Sequence, residues 1–294
     1  MKKVLITGAE GYIGSHLVKM LAEHGSYDIS YMDNRFHTEF NDISKYVAEN
    51  FFIFDDFTDR VLFDVYDAVV HLGGRSVVPQ SLKEPSEYYR VNTMGTNNIL
   101  NSVYTDHFIF ASTSSAFEMK SPYARSKVAA EDIIKEKANG HTIFRFFNVS
   151  GSDGIHRQLG PASHLIRRAA MVAVGSLSHV EVFGDDYNTR DGTCVRDYIH
   201  VTDVCNSIIR AIERGPANTD YECLGSQSGF SVLDVIAAMR NATGQEIPIR
   251  SAPRRAGDAE SCIVDKLSDL CKLTKSLEDM CFDQYKLELT NKYH

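Results

Sequence analysis

A chain of 294 residues with 43% hydrophobic and 24% charged side chains is long enough to bury a full core, as one large domain or two intimate ones. Its net charge of −8 argues against a nucleic-acid or anionic-membrane surface, so a bound phosphate has to be met by local donors. No run reaches the ~20 apolar residues of a membrane span, and the apolar start is too short for a signal peptide. The six cysteines (Cys194, Cys205, Cys223, Cys262, Cys271, Cys281) show no metal-ligand spacing and read as reduced thiols of a cytoplasmic protein.

Val4–Thr7 is a short apolar run closed by Gly8, as suits a buried parallel strand. Gly8, Gly11, Tyr12, Ile13 and Gly14 follow, and then a helical periodicity from Ser15 to Glu23. Strand, glycine turn and helix in that order are the context of a dinucleotide site, with the pyrophosphate on the helix N-terminus. The spacing is GxxGxxG rather than GxGxxG. The next strand, Asp28–Met32, ends at Asp33 and Asn34. An acid there accepts from an adenine-ribose 2′-hydroxyl and repels a 2′-phosphate, which favours NAD over NADP. Arg35 leaves NADP open.

After a polar stretch with one helical candidate near Ser44–Ala48, Phe51–Phe54 reads as a strand. Asp56 and Phe57 beyond it suit an adenine contact and equally a turn acid and a core ring. Asp67–Leu72 is a further buried strand, with Gly73 and Gly74 at its end allowing close backbone approach. His71 inside that run reads as a satisfied core histidine. Glu87–Tyr104 has the pattern of a long helix, Phe108–Ala111 of a strand, and the hydroxyls Ser112, Thr113, Ser114 and Ser115 follow at once. A helix over Tyr123–Lys137 precedes a sixth strand, Thr142–Phe147.

Tyr123 and Lys127 stand four residues apart, on one helix face. An ammonium beside a phenol lowers the phenol pKa from about 10 and can supply a general base at neutral pH. Six alternating strand and helix units make an α/β fold built on a doubly wound parallel (Rossmann) sheet. Gly8, Asp33, Gly73, Thr113 and Asn148 all lie at carboxyl ends of strands, where such sheets bind ligands. The predicted division is a dinucleotide-binding domain over 1–150, with 197–215 packing back on it. A smaller α/β substrate-binding portion covers 151–294: helices near Ala162–Gly175, Thr202–Arg214 and Ser231–Ala242, a strand near Val180–Phe183, the basic turn Arg254–Asp258, and solvated helices from Asp265 to Leu289.

Together these residues resemble the extended short-chain dehydrogenase/reductase family, and within it the UDP-glucose 4-epimerases. The most selective piece is Val182–Asp203 (VFGDDYNTRDGTCVRDYIHVTD); Phe144–Asn148, Asn92–Thr96 and Ala252–Asp258 agree with it. The resemblance implies tightly held NAD and a UDP-sugar substrate. It implies Tyr123 as base at the sugar 4′-hydroxyl, Lys127 on the nicotinamide ribose, and Thr113, with Ser112 beside it, at the reacting oxygen. It adds Leu72, Asn92 and Phe147 to the cofactor side, and on the substrate side Asn148 and Arg196 near the diphosphate, His164 and Leu165 in the same region, Phe183 near the uracil, Arg255 at a phosphate and Asp258 at the ribose. It also implies a homodimer formed through the Glu87–Tyr104 and Tyr123–Lys137 helices.

Four departures stand out. The segment between Thr113 and Tyr123 is markedly shorter than in the family. His164 replaces an asparagine and Ser76 a lysine. Cys262 stands where the family sets sugar-pocket volume, and its small side chain leaves room for a 2-acetamido group. Related decarboxylases and 4,6-dehydratases place an acid after the threonine, because elimination needs an extra acid or base; here Ser114 and Ser115 follow, which speaks for reversible oxidation. A non-catalytic NAD-binding protein is the alternative from another class.

Overall fold

The computed structural model describes residues 1–294 apart from 37, 38, 48–51, 55–63, 161, 256, 257 and 294. The chain divides into two compact units, Met1–Phe146 with Cys205–Cys223, and Phe147–Val204 with Leu224–His294.

From the start to Phe146 the chain runs β1 (Lys2–Thr7), α1 (Tyr12–His24), β2 (Tyr27–Asp33), β3 (Phe52–Phe54), β4 (Asp64–Tyr66) and β5 (Ala68–His71), then α2 (Val78–Lys83), α3 (Pro85–Tyr89), α4 (Gly95–Ser102), β6 (Val103–Thr105), β7 (Phe108–Thr113), α5 (Pro122–Lys137) and β8 (His141–Phe146). From Phe147 onward come β9 (Asn148–Ser150), α6 (Leu165–Ala173), β10 (Val180–Phe183), β11 (Val195–Arg196), β12 (Tyr198–His200), α7 (Val201–Arg214) and β13 (Glu222–Leu224). The chain ends with β14 (Phe230–Ser231), α8 (Val232–Thr243), β15 (Ile249–Ala252), β16 (Ser261–Cys262) and α9 (Leu277–Tyr293).

The first unit is a seven-stranded sheet in the order β13-β8-β7-β5-β1-β2-β3, with parallel pairing from β3 across to β8. All six residues of β7 and of β8 are buried, which explains why they read as unbroken apolar-rich runs rather than alternating ones. Leu5, Met32, Val69, Phe108, Phe110 and Ile143 form the sheet's share of a core completed by Ile99, Ala130 and Ile134. The strand order reverses beside β1, which pairs with β2 on one side and β5 on the other, so the ligand crevice of such a sheet falls beyond Thr7 and His71. His71 is fully buried and bonds Thr7 Oγ1 at 2.6 Å and Thr96 Oγ1 at 3.0 Å, the satisfied core histidine expected.

Two elements differ from expectation. The helix expected over Glu87–Tyr104 is α3, a π-helical turn at Arg90–Met94, and α4; it ends at Ser102, because Val103–Thr105 pairs in parallel with Asp64–Tyr66 instead. The candidate near Ser44–Ala48 is only a turn over 44–46, and Ala48 lies outside the described residues.

In the second unit, α6, α8 and α9 pack around Ile166, Ala169, Val235, Ile236, Met239, Met280 and Cys281. The solvated helices expected from Asp265 to Leu289 are therefore a single helix beginning at Leu277, with one face buried in that core. Ser231 starts α8 with a capping box: its hydroxyl accepts from the Asp234 amide while the Asp234 carboxylate accepts from the Ser231 amide.

Candidate active site

In the first unit the loop after β1 is built for close approach. Gly8 has φ +69°, and a Cβ there would lie 2.7 Å from the Gly73 nitrogen. A Cβ at Gly14 would lie 2.1 Å from the Gly8 carbonyl oxygen, and one at Gly11 3.1 Å from it. Tyr12 and Ile13 open α1, and Tyr12 meets His16 edge-on at 5.3 Å. Leu72 donates its amide to the Thr7 carbonyl and Gly73 to Thr7 Oγ1. Backbone of β1, α1 and the end of β5 thus converge where the pyrophosphate of a dinucleotide meets a helix N-terminus.

Asp33 closes β2 and accepts amide hydrogen bonds from Glu10 at 3.0 Å and Arg35 at 2.9 Å. Burial raises its pKa above the usual carboxylate value, against those two bonds. The Arg35 fork is spent on Glu10, at 2.6 and 2.8 Å. The cation that left NADP open is thereby neutralised, while the acid that suits an unphosphorylated ribose stays in place. Asn34 turns its side-chain carbonyl onto the Phe36 amide. Asp56 and Phe57 lie outside the described residues.

Asn92 is buried, and its amide is fully engaged within the protein: Oδ1 accepts from the Arg75 amide, and Nδ2 donates to the Arg75 carbonyl and Ser126 Oγ. It supports Gly74 from beneath, since a Cβ on Gly74 would lie 2.9 Å from Asn92 Oδ1 and 3.4 Å from Lys127 Nζ.

Ser121 caps α5 by accepting from the Ala124 amide at 3.1 Å, and Pro122 occupies the first turn. This start holds Tyr123 and Lys127 on the buried side of the helix, 9% and 5% exposed. Thr113, at the end of β7, hydrogen-bonds the Tyr123 phenol, while Thr113 Oγ1 accepts from the Ser115 amide at 3.2 Å. A hydrogen bond that lowers the phenol pKa is one that favours the ionised form, with Thr113 donating to the phenolate. Tyr88 meets the Tyr123 ring edge-on at 6.3 Å.

Two expectations change here. The phenol pKa is raised, not lowered: burial outweighs the Thr113 hydrogen bond, and Tyr88 adds to the rise. Lys127 is itself pulled down to about 8 by burial, opposed by Glu131; its Nζ lies 4.4 Å over the Phe110 ring. Ser112, expected beside Thr113 at the reacting oxygen, donates instead to Glu131 Oε1. Successive side chains of a strand point to opposite faces, so the two hydroxyls part company. Glu131 and Arg145, which sequence reading missed, form a buried bidentate pair at 3.0 and 2.7 Å. Lying fourteen residues apart on a helix and a strand, they leave no local signal of their pairing. Glu118 is exposed and pairs with Lys120 at 3.1 Å.

The second unit carries a cavity of about 160 Å³ that brings together Asn148, His164, Leu165, Phe183, Arg196 and Arg255. The Arg255 guanidinium lies 4.6 Å over the Phe183 ring and its Nε bonds Asp258 at 2.9 Å; Arg196 approaches the same carboxylate at 4.0 Å. Two forks held by one acid leave net positive charge on the cavity, as suits a diphosphate. His164 is exposed on the cavity wall, and its pKa is lowered from the usual histidine value, by desolvation first and by Arg167 second. Arg168, Cys194 and Tyr198 also line the cavity without having been singled out in sequence. Cys262 is not among its lining residues; it sits in β16, in register with Arg196. Phe147 is buried just after β8, its amide on the Leu224 carbonyl.

A parallel sheet with a glycine-lined crevice, a buried Tyr/Lys helix and a threonine donor defines an NAD-linked short-chain fold. The chain belongs to the NAD dependent epimerase/dehydratase family, whose profile matches residues 4–223. More particularly, it is 35% identical to the UDP-glucose 4-epimerase of Halalkalibacterium halodurans, over 88% of this chain and 86% of the relative. The Bacillus subtilis UDP-glucose 4-epimerase is 29% identical over 98% of this chain and 97% of its own length. Among solved structures, the Stenotrophomonas maltophila UDP-glucose 4-epimerase with bound NAD and formylated UDP-arabinopyranose superposes with a TM-score of 0.88 at 28% identity, covering 100% of this chain and 99% of that one. The Bifidobacterium longum enzyme, in complex with NAD+ and UDP, gives 0.85 at 28% identity, with 99% of both chains covered.

Proposed function

We propose that the protein is a UDP-glucose 4-epimerase, interconverting UDP-glucose and UDP-galactose through a 4-keto sugar. The glycine cradle that a Cβ would fill and the Asp33 carboxylate fit NAD. So does the buried Lys127 ammonium, which has no hydrogen-bond acceptor among the described residues. When bound, NAD would supply the two-electron acceptor and donor for the hydride at C4′. Tyr123 Oη, in its ionised form, receives the proton of the 4′-hydroxyl and gives it back, Thr113 steadies that phenolate by donating to it against the rise that burial imposes, and Lys127 holds the nicotinamide ribose. The cavity of Asn148, Phe183, Arg196 and Arg255 takes the uridine diphosphate, with His164 and Leu165 on its wall.

The observation that carries this reading is the disposition of carboxylates. Decarboxylation or dehydration requires an acid or base beside the ketone. Here Glu118 faces Lys120, and Glu131 is locked between Arg145 and Ser112. The remaining groups support oxidation and re-reduction without elimination. Incubation with UDP-galactose and with UDP-glucose, followed by product identification, tests this. Interconversion supports it; release of CO2, a 4-keto-6-deoxy product, or bound NAD without turnover overturns it.

A small Cys262 beside Arg196 supports acceptance of UDP-GlcNAc and UDP-GalNAc as well, checked by the same assay with those sugars. Exposed Met94 and Tyr89, 58% and 37% accessible beside α4, support a homodimer through α4 and α5, to be measured by light scattering. Six cysteines present as thiols rather than in disulfides support a cytoplasmic location. No helix among the described residues is long and apolar enough to cross a membrane.

A further inference from the structure

Only nine residues, 114–122, join Thr113 to Tyr123. Ser114–Phe117 makes one 3-10 turn, and the amides of Glu118 and Met119 then fold back onto the Ser115 carbonyl at 3.3 and 3.1 Å. Met119 takes φ +51°, and its carbonyl accepts from Arg125 at 3.1 Å. So short a path leaves little slack. Any movement of the turn carries the Ser115 amide with it, and that amide orients Thr113 Oγ1.

The turn is anchored at its last residue. Phe117 meets Tyr221 edge-on, ring centroids 5.4 Å apart at 80°. The Arg145 guanidinium lies over both rings, 4.8 Å from Phe117 and 3.9 Å from Tyr221. Its other edge forks onto Glu131, which also accepts from Ser112. Phe117 and Tyr221 are 46% and 39% exposed, too open for apolar burial alone to hold them. A desolvated guanidinium between a carboxylate and two ring faces supplies the missing attraction.

We propose that Phe117, Arg145 and Tyr221 are positioning residues: they pin the short connection so that Thr113 presents its proton to the Tyr123 phenol. This rests on the epimerase reading for its kinetic consequence but not for its geometric one. Apart from Thr113 at the end of β7, the group that acts on the phenol is Tyr88 from α3, with Lys127 one turn along its own helix.

The test uses full-length, NAD-loaded Phe117→Ala, Phe117→Tyr and Tyr221→Ala. In the alanine variants kcat falls about tenfold with KM for the UDP-sugar within twofold, and the rising limb of the kcat–pH profile moves to higher pH, because the phenolate loses its donor. Phe117→Tyr keeps the wild-type values. Independently of turnover, ultraviolet difference titration against Tyr123→Phe shows the phenol ionising at higher pH in Phe117→Ala than in wild type. Unchanged kcat, pH profile and titration in Phe117→Ala overturn the inference, as does a change confined to KM. A wild-type protein that does not interconvert the sugars, yet shows the titration shift, overturns the functional reading and leaves the positioning role standing.

Discussion

Gly14 and Gly25 are both glycines of α1, one in its first turn and one at its C-cap, and the same substitution separates what each does. At Gly25 the backbone is left-handed, φ +73°, with nothing within 4 Å of an added Cβ. Gly25→Ala therefore costs only left-handed strain, about 1–2 kcal/mol, and lowers Tm by a few degrees. At Gly14 the backbone is helical, but a Cβ would sit 2.1 Å from the Gly8 carbonyl oxygen and 2.7 Å from the Ala9 Cα. Ordinary contact is about 3.5 Å or more, so α1 has to move away from the end of β1 by over 1 Å, and no flexible side chain is there to yield instead.

That displacement carries the α1 amides out of hydrogen-bond range of a pyrophosphate. Two charge-assisted bonds at about 1.5–3 kcal/mol each amount to a loss of at least ~100-fold in NAD affinity. Calorimetric titration of NAD into nucleotide-free protein measures it directly, and spectrophotometry of nucleotide released from the purified variant checks it. NAD affinity within threefold of wild type in Gly14→Ala, or equal losses in both variants, would refute the assignment of this loop.

Tyr123→Phe removes the proton carrier while keeping the ring against Tyr88, and should lower kcat by about 10²–10⁴ in an assay of UDP-galactose formation, with bound NAD retained. Burial holds the His71 pKa at about 3 and that of His107 at about 4, each below the unfolded value of 6.5. The unfolded chain thus binds more protons below pH 6.5, and stability falls as pH drops through that window towards 3. Urea unfolding at stepped pH should give a slope shallower by up to one proton in His71→Gln. Arg255→Lys keeps the charge near Asp258 but loses the planar fork and the stacking on Phe183; UDP affinity by calorimetry should fall about tenfold.

The sheet was readable because its strands are buried on both faces: Val4–Thr7, Ala68–His71 and Phe108–Ala111 stand out as apolar runs, each closed by glycine or hydroxyl residues. Val103–Thr105 was hidden in the tail of a helix-periodic segment, and only its pairing with Asp64–Tyr66 makes it a strand. The terminal helix looked solvated because Leu277, Met280 and Cys281 are spaced among acids, and their burial depends on α6 and α8. The Tyr123–Lys127 pair was visible as spacing, but the acidity of its phenol was not. Spacing reports proximity along the helix, whereas burial by the rest of the unit decides the sign of the shift.

Strand geometry also sorts the chemistry. Ser112 and Thr113 look interchangeable in sequence, yet alternation along β7 sends one hydroxyl to Glu131 and the other to Tyr123. The carboxylate that β7 does engage, Glu131, thus lies on the Ser112 side, paired to Arg145 and 1% exposed. To serve as an eliminating base it would have to leave a buried guanidinium unpaired, at a cost of about 3–5 kcal/mol, before reaching any substrate atom. Thr113 faces no such competition: its oxygen accepts from the Ser115 amide, and its side chain favours the ionised Tyr123 phenol. What distinguishes oxidation with return from oxidation with elimination in this chain is therefore less the absence of an acid than the face of β7 on which its acid is held.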